Sequence, residues 1–160
     1  MIFERKLVAF SELGVWRRKI REEGLRLVVT NGCFDLLHPG HVSCLAAARA
    51  EGDALMVGVN GDAAVRFLKG TGRPIVQAVD RALMLAALES VDGVCIFTEI
   101  RAMTFLEEVQ PDIYVKGGDY TLETLDQEER RVVEKHGGRI VLLPFIPGHS
   151  TTELVQKITR

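Results

Sequence analysis

Two histidines separated by Pro-Gly, His38-Pro39-Gly40-His41, follow the apolar run Leu25-Arg26-Leu27-Val28-Val29 and the turn-forming pair Asn31-Gly32. Leu25 to Thr30 reads as a buried strand and His41 to Ala50 as a helix with Gly52 as its C′ residue, so the histidines stand where strand turns into helix. Pro39 suits the first helical turn, where its missing N–H costs nothing, and His38 and His41, three residues apart, can point to one side. At such a helix start the unpaired N–H groups and the positive end of the macrodipole favour an anion. Two imidazole donors beside that anion can follow charge as it develops on a transferring phosphoryl group. One histidine near a helix start is ordinarily a cap or a surface residue; two, in this compound setting, point to phosphate chemistry.

Further along the chain, Arg66, Lys69 and Arg73 surround Gly70 and Gly72, and Pro74 closes the run. Lys69 to Pro74 reads as a loop that either folds over a triphosphate or pyrophosphate or simply lies solvated, as exposed cations usually do. Asp80 is placed to cap the next helix, with Arg81 facing solvent or reaching toward phosphate. In Lys116-Gly117-Gly118-Asp119-Tyr120 the glycines permit close backbone approach to a ligand, Lys116 can neutralise a phosphate at a strand end, and Asp119 can accept from hydroxyls. A tight turn would account for those glycines but not for the lysine. Ser150-Thr151-Thr152 has the character of a helix cap, with Ser150 or Thr151 accepting from first-turn N–H groups.

The chain is 160 residues long, 47% hydrophobic and 26% charged, which suits one globular domain with a substantial core. A formal net charge of −2 offers no basic field for nucleic acid. The runs Arg17-Arg18-Lys19 and Glu128-Glu129-Arg130-Arg131 read as solvated helix faces. Cys33, Cys44 and Cys95 lack CxxC spacing, so reduced thiols fit better than disulfides or a zinc site. Cys33 at its turn reads as a small packed residue. No apolar run approaches membrane-spanning length and the N-terminus lacks a signal-peptide apolar region, so the expected location is the cytoplasm, with no membrane partner.

These residues need a scaffold, and alternation supplies one. Phe10 to Glu23 reads as an amphipathic leading helix with Leu13, Trp16 and Ile20 inward and Ser11 or a neighbour as its cap. Strands are then expected at Leu25–Thr30, Ala54–Val59, Gly93–Phe97, Ile113–Val115 and Ile140–Leu143. Helices are expected at His41–Ala50, Asp80–Glu89, Arg101–Val109, Leu125–Lys135 and Thr151–Thr159. That order predicts an α/β fold: a Rossmann-like, doubly wound, parallel five-stranded sheet in a single domain over residues 1–160. Ligands bind such sheets beyond the carboxyl ends of the strands, where the motifs above fall.

There is no GxGxxG, no Walker A and no HExxH, which argues against a dinucleotide dehydrogenase, a P-loop kinase or a zinc protease. The stretch Thr30 to His41 instead resembles the signature of the nucleotidyltransferase superfamily with the HxGH motif, in its cytidylyltransferase-like branch. Taken with Val59-Asn60-Gly61-Asp62, Leu68-Lys69-Gly70, Arg73-Pro74, Val115 to Tyr120 and Ser150 to Thr152, the sequence is similar to the adenylyltransferases that make ADP-activated heptose, over roughly Leu25 to Ile158. The turn Lys116-Gly117-Gly118-Asp119-Tyr120 and the segment Pro147-Gly148-His149 differ from the equivalents in glycerol-phosphate cytidylyltransferases. Asn60-Gly61-Asp62 stands where relatives commonly carry Asn-Ser-Asp.

The resemblance implies transfer of AMP from ATP to a heptose 1-phosphate, giving ADP-heptose and pyrophosphate for lipopolysaccharide or surface-glycan precursors. It implies His38, His41 and Lys69 as catalytic residues. Nucleotide contacts are implied for Asn31, Gly32, Cys33, Phe34, Gly40, Lys116, Gly118, Asp119, Ser150, Thr151 and Thr152, and substrate or phosphate contacts for Asp35, Asn60, Arg73 and Arg81. Mg²⁺ is expected to arrive with ATP and to need few protein ligands, so no protein metal site is expected. A stand-alone form would imply a separate kinase and phosphatase in its pathway, and the resemblance suggests a dimer or higher homo-oligomer. The alternatives are cytidylyl or adenylyl transfer to glycerol phosphate, ethanolamine phosphate or flavin mononucleotide, and a catalytically idle nucleotide-binding domain.

Overall fold

The computed structural model describes residues 1–144 and 147–159. Five parallel strands form one sheet: β1 (Leu27–Gly32), β2 (Ala54–Asn60), β3 (Gly93–Phe97), β4 (Ile113–Gly117) and β5 (Arg139–Leu143), in the spatial order β3-β2-β1-β4-β5. The helices are α1 (Leu13–Glu22), α2 (Pro39–Ala50), α3 (Asp62–Lys69), α4 (Ala78–Ala86), α5 (Met103–Val109), α6 (Gln127–Lys135) and α7 (Thr151–Ile158). This is the expected Rossmann-like doubly wound sheet. Both faces are covered, as all-parallel sheets require.

Alternation along the strands divides the core in two. Leu27, Val29, Met56, Phe97 and Tyr114 point to the face covered by α1, α5 and α6, where Leu13, Phe105, Leu106, Val109 and Val133 are buried. Val28, Leu55, Val57, Val59 and Val115 point to the other face, against Leu45 and Ala48 of α2 and Ala82 and Leu85 of α4. Trp16 and Ile20 pack at the edge of the first cluster, as the helical spacing predicts.

Strand order reverses between β1 and β4, and there the ladder is short. Val28 lies opposite Ile113 and Val29 opposite Tyr114, whereas β1 and β2 are in register from Leu27 to Gly32. Beyond Tyr114 the Thr30 hydroxyl, rather than a backbone N–H, donates to the Val115 carbonyl at 2.8 Å. The carboxyl ends of β1 and β4 are thereby held close without being zipped together, which is the crevice that such a switch point provides.

Several elements differ from expectation. The leading helix begins at Leu13, after a 3-10 turn at Phe10–Glu12, and neither Ser11 nor its neighbour Glu12 makes a side-chain cap. Helix α3 fills residues 62–68, for which no element was expected, and ends at Lys69, the first residue of the expected loop, placing Arg66 and Lys69 on its last turn. The next helix starts at Ala78 rather than Asp80; its first N–H donates to the Asp62 carboxylate at 2.8 Å, and Asp80 is exposed. Gly52 follows α2 with ordinary backbone angles, and its requirement is steric: a Cβ there would lie 2.6 Å from Val28 Cγ2 and 2.9 Å from the Arg26 carbonyl oxygen.

The two charge runs are also not simply solvated. Arg17 is 4% exposed; it donates to the Gln110 carbonyl and pairs at 2.9 Å with Asp112, whose other oxygen accepts the Leu27 N–H. Glu129 is 5% exposed and accepts the Ala102 N–H. A charge pattern that reads as a polar helix face on sequence includes residues recruited to satisfy buried backbone groups.

Candidate active site

The site is built on the turn that leaves β1. Phe34 adopts a left-handed backbone with φ of 49°, uncommon for a non-glycine residue. That turn sets its ring against Gly32, where a Cβ would come 3.1 Å from the ring, and tilted against His41 at 5.3 Å between centroids. His38 is the N-cap of α2 with Pro39 at the first helical position, and its Nδ1 accepts weakly from the His41 N–H at 3.4 Å. The His38 carbonyl already accepts from His41 N and Val42 N. Pro39 has no N–H, so Gly40 offers the free first-turn donor among the described residues.

The two imidazoles stack, with centroids 3.7 Å apart and planes 23° from parallel. Burial, and then the neighbouring His38, hold the His41 ring down to about 4, the Leu36 carbonyl working weakly the other way. His41 Nδ1 is buried without a hydrogen-bond partner among the described residues. The His38 ring is also lowered, by burial first and then by His149, with Glu153 opposing. Both rings are therefore held neutral at neutral pH.

His149 was not a candidate on sequence, and the structure brings it to this site. Its ring lies 6.5 Å from that of His38 and 17° from parallel. A Cβ on Gly40 would lie 2.9 Å from His38 Nδ1 and 3.1 Å from His149 Cβ, so the bare glycine is what lets the segment before α7 approach α2. One residue later, Ser150 caps α7, its hydroxyl accepting the Glu153 N–H at 3.1 Å. Thr151 and Thr152 open that helix. The sequence signals for His149 were its position directly before the capping serine and its place in Pro147-Gly148-His149, a segment that departs from the glycerol-phosphate cytidylyltransferase pattern.

On the β4 side, Lys116 points back over the sheet. Its Nζ lies 3.7 Å from Glu129 Oε2 and about equally over two rings, 5.5 Å from Tyr114 and 5.6 Å from Tyr120. The buried Tyr114 hydroxyl is 2.6 Å from Asn31 Oδ1 and 3.0 Å from Glu129 Oε2. Glu129 was read on sequence only as part of a solvated charge run, and Tyr114 was not singled out, because their partnership joins a helix and a strand apart in the chain. Gly117 brings the strand end against α2, where a Cβ would lie 2.7 Å from Cys44 Sγ. Gly118 has φ of 129°, which favours glycine, while Asp119 is exposed. Cys33 is partly buried; burial pushes its thiol up, against the pull of Lys69 and Arg81, so it is not a thiolate at neutral pH.

Four residues expected to touch substrate or phosphate are turned inward. Asp35 is 2% exposed and accepts the Ile75 and Val76 N–H groups at 2.8 and 2.9 Å, and also pairs with Arg73. Burial alone would raise its carboxyl, but those donors hold it below the usual carboxylate range. Arg73 is thus engaged with Asp35 rather than reaching into the crevice. Arg81 is fully buried and donates to the carbonyls of Val76, Cys33 and Asn60 and to Asp62. It neither faces solvent nor reaches phosphate, because three turns of chain converge on its planar fork. Asn60 is 3% exposed, its amide donating at 3.4 Å to the Glu99 and Ile100 carbonyls. Lys69, by contrast, is exposed and unpaired among the described residues at the end of α3.

The geometry thus collects His38, His41 and His149, the starts of α2 and α7, and the ends of β1 and β4 around one crevice. Lys69 stands beside it on α3, close enough for its charge to act on Cys33. Such an arrangement can bind a polyphosphate and stabilise charge on it. It offers no activated nucleophile. No helix of the described residues is long and apolar enough to cross a membrane.

Comparison with known proteins agrees with this geometry. The cytidylyltransferase-like family model matches residues 29–157. The bifunctional protein HldE of Rhodopseudomonas palustris is 50% identical over 155 residues, covering 96% of this chain and 31% of that protein. HldE of Nitrobacter hamburgensis is 52% identical over 147 residues, 92% of this chain and 29% of that one. The chain spans about a third of the length of these curated relatives. The crystal structure of the lipopolysaccharide core biosynthesis protein from Thermoplasma volcanium superposes with a TM-score of 0.63 at 30% identity, covering 77% of this chain and 98% of that one. Pantoate-beta-alanine ligase from Francisella tularensis, 13% identical with a TM-score of 0.59 over 95% of this chain and 77% of that one, shares the fold. The chain belongs to the cytidylyltransferase-like family and is a nucleotidyltransferase.

Proposed function

We propose that the chain transfers AMP from ATP to a heptose 1-phosphate, releasing pyrophosphate and ADP-heptose for lipopolysaccharide or related glycan synthesis. The observation that carries the reading is the stacked pair His38 and His41 at the start of α2, beside the strand reversal, in a chain half identical to HldE proteins. The structural relative whose name refers to lipopolysaccharide core biosynthesis supports the same pathway.

In this reaction an oxygen of the sugar 1-phosphate attacks the α-phosphorus of ATP in line with the bond to the β-phosphate, which breaks as pyrophosphate leaves. Phosphoryl-type transfer of this kind needs positioning and charge stabilisation more than a protein nucleophile. His38 and His41 bind the triphosphate and take up charge at the α-phosphate. Lys69 moves with the end of α3 onto the departing pyrophosphate, and Arg73 joins it by exchanging Asp35 for phosphate. Ser150, Thr151 and Thr152 hold the nucleotide phosphates at the start of α7. Asn31, Gly32, Phe34, Lys116, Gly118 and Asp119 line the nucleotide between the two strand ends.

Mg²⁺ accompanying ATP supplies charge neutralisation across the phosphates. It takes few protein ligands in such sites, and no group of three His, Cys, Asp or Glu able to hold a metal occurs among the described residues. The chain's own task is to bind the phosphates.

The deciding experiment crosses ATP and CTP with a panel of phosphorylated sugars and polyols and reads pyrophosphate release. Activity with ATP and a heptose 1-phosphate is the expected outcome. Activity with CTP alone would overturn the adenylyl assignment, and the family description makes cytidylyl transfer the specific competitor.

A further inference from the structure

We propose that His149 is a third phosphate-binding imidazole of this site, carried to it by the segment that enters α7. The inference rests on the phosphate reading of His38 and His41 and extends it to a residue outside the HxGH signature.

Three observations converge. First, His149 is aligned with the histidine pair, its ring 17° from parallel to that of His38. Second, the two rings stack, but loosely. His38 and His41 touch at 3.7 Å between centroids, whereas His38 and His149 are 6.5 Å apart. A ring N–H donates in the plane of its ring over roughly 2.7–3.2 Å, so two near-parallel rings can both donate to a polyphosphate lying along their common edge rather than between their faces. Third, His149 makes no hydrogen bond among the described residues, although it is partly buried and directly precedes the Ser150 cap. A histidine serving the loop would use its ring on the loop.

The charged groups that act on His38 are His149 and, in the first turn of α7, Glu153. His149 opposes protonation of His38 and Glu153 favours it. Adding a polyphosphate supplies the negative charge that lets more than one imidazole in this row be protonated at once. Gly40 makes the approach possible, since a Cβ there would collide with both His38 and His149. The third imidazole therefore comes from the far end of the chain, and ligand binding pins α7, which buries no residue of its own, onto α2.

The test compares His149→Ala, His149→Phe and His149→Gln with the unmodified chain, reading affinity for inorganic pyrophosphate by calorimetry and the rate of pyrophosphate release with ATP and acceptor. Loss of one charge-assisted hydrogen bond predicts pyrophosphate binding weakened about tenfold or more in His149→Ala. His149→Phe, which keeps a ring without donors, is equally impaired, and His149→Gln recovers part of the affinity. Full affinity in His149→Ala, or restoration by His149→Phe, would show a packing role and overturn the proposal. Failure of the unmodified chain itself to bind pyrophosphate would instead bring down the phosphate reading of the whole site, and with it this assignment. Thermal melting of each variant confirms that it is folded; should His149→Ala not fold, the contrast between Phe and Gln decides.

Discussion

The His41 imidazole lies under that of His38 at 3.7 Å, with its Nδ1 sealed from solvent and unpartnered among the described residues. His41→Ala is expected to slow turnover by roughly a hundredfold or more, the effect of losing one preorganised donor to a developing charge, while the fold stays intact. Steady-state pyrophosphate release and circular dichroism check this, and normal turnover in a folded variant would remove His41 from the mechanism.

The same burial makes His41 a source of acid sensitivity. Unfolded, the ring takes up its proton near 6.5; folded, only near about 4. The unfolded state thus binds the extra proton between those values, so stability falls as pH drops through that window and no further below it. Urea titrations from pH 7 to pH 4 should show a steeper loss for the unmodified chain than for His41→Gln. Equal slopes would contradict the burial of a neutral ring.

Lys69→Ala is expected to lower the rate strongly with a modest change in apparent ATP affinity, because an exposed lysine at the end of α3 engages phosphate only as the leaving group develops charge. An unchanged rate would leave Lys69 as part of the scaffold.

Asp35→Ala leaves the N–H groups of Ile75 and Val76 and the Arg73 guanidinium without their buried acceptor. A cost of about 2–4 kcal/mol is expected in denaturant unfolding. Because the Asp35 carboxyl is held below its usual range, its contribution is present above the unfolded-state value of 3.8 and is lost as pH falls through the lower folded value.

Arg81→Met leaves three carbonyls without their buried donor and removes the cation beside the part-exposed Asp62, which keeps the Ala78 N–H, and is expected to cost about 3–5 kcal/mol. A variant of full stability that merely loses nucleotide affinity would reverse the scaffold assignment and restore a phosphate contact.

The sheet was legible because each strand is a short apolar run followed by a turn, and β3 fell on Gly93–Phe97 as expected. Helix α3 was hidden because it presents Phe67, Leu68 and Lys69 outward and buries only Ala64 and Val65, so its apolar residues do not mark its buried stripe. The histidine turn was legible from local spacing. The fates of Asp35, Asn60 and Arg81 were not, since, apart from Val76 five residues before Arg81, their partners lie 19 to 48 positions away. Residue type alone cannot distinguish a carboxylate that meets substrate from one that collects backbone N–H groups. Lys116 illustrates the point: the strand-end lysine is accounted for in part by Glu129 and two tyrosine rings, none of which lies on its own strand except Tyr114.

The spatial order β3-β2-β1-β4-β5 also dictates when the crevice can come into being. During synthesis β1 and β2 can pair early, but the other edge of β1 has to wait for Ile113 and Tyr114, some 85 residues later in the chain. Contacts of such long sequence separation form slowly. The nascent protein therefore carries an open, strongly apolar strand edge until its second half arrives, and the histidine turn acquires its opposite wall only at that late step.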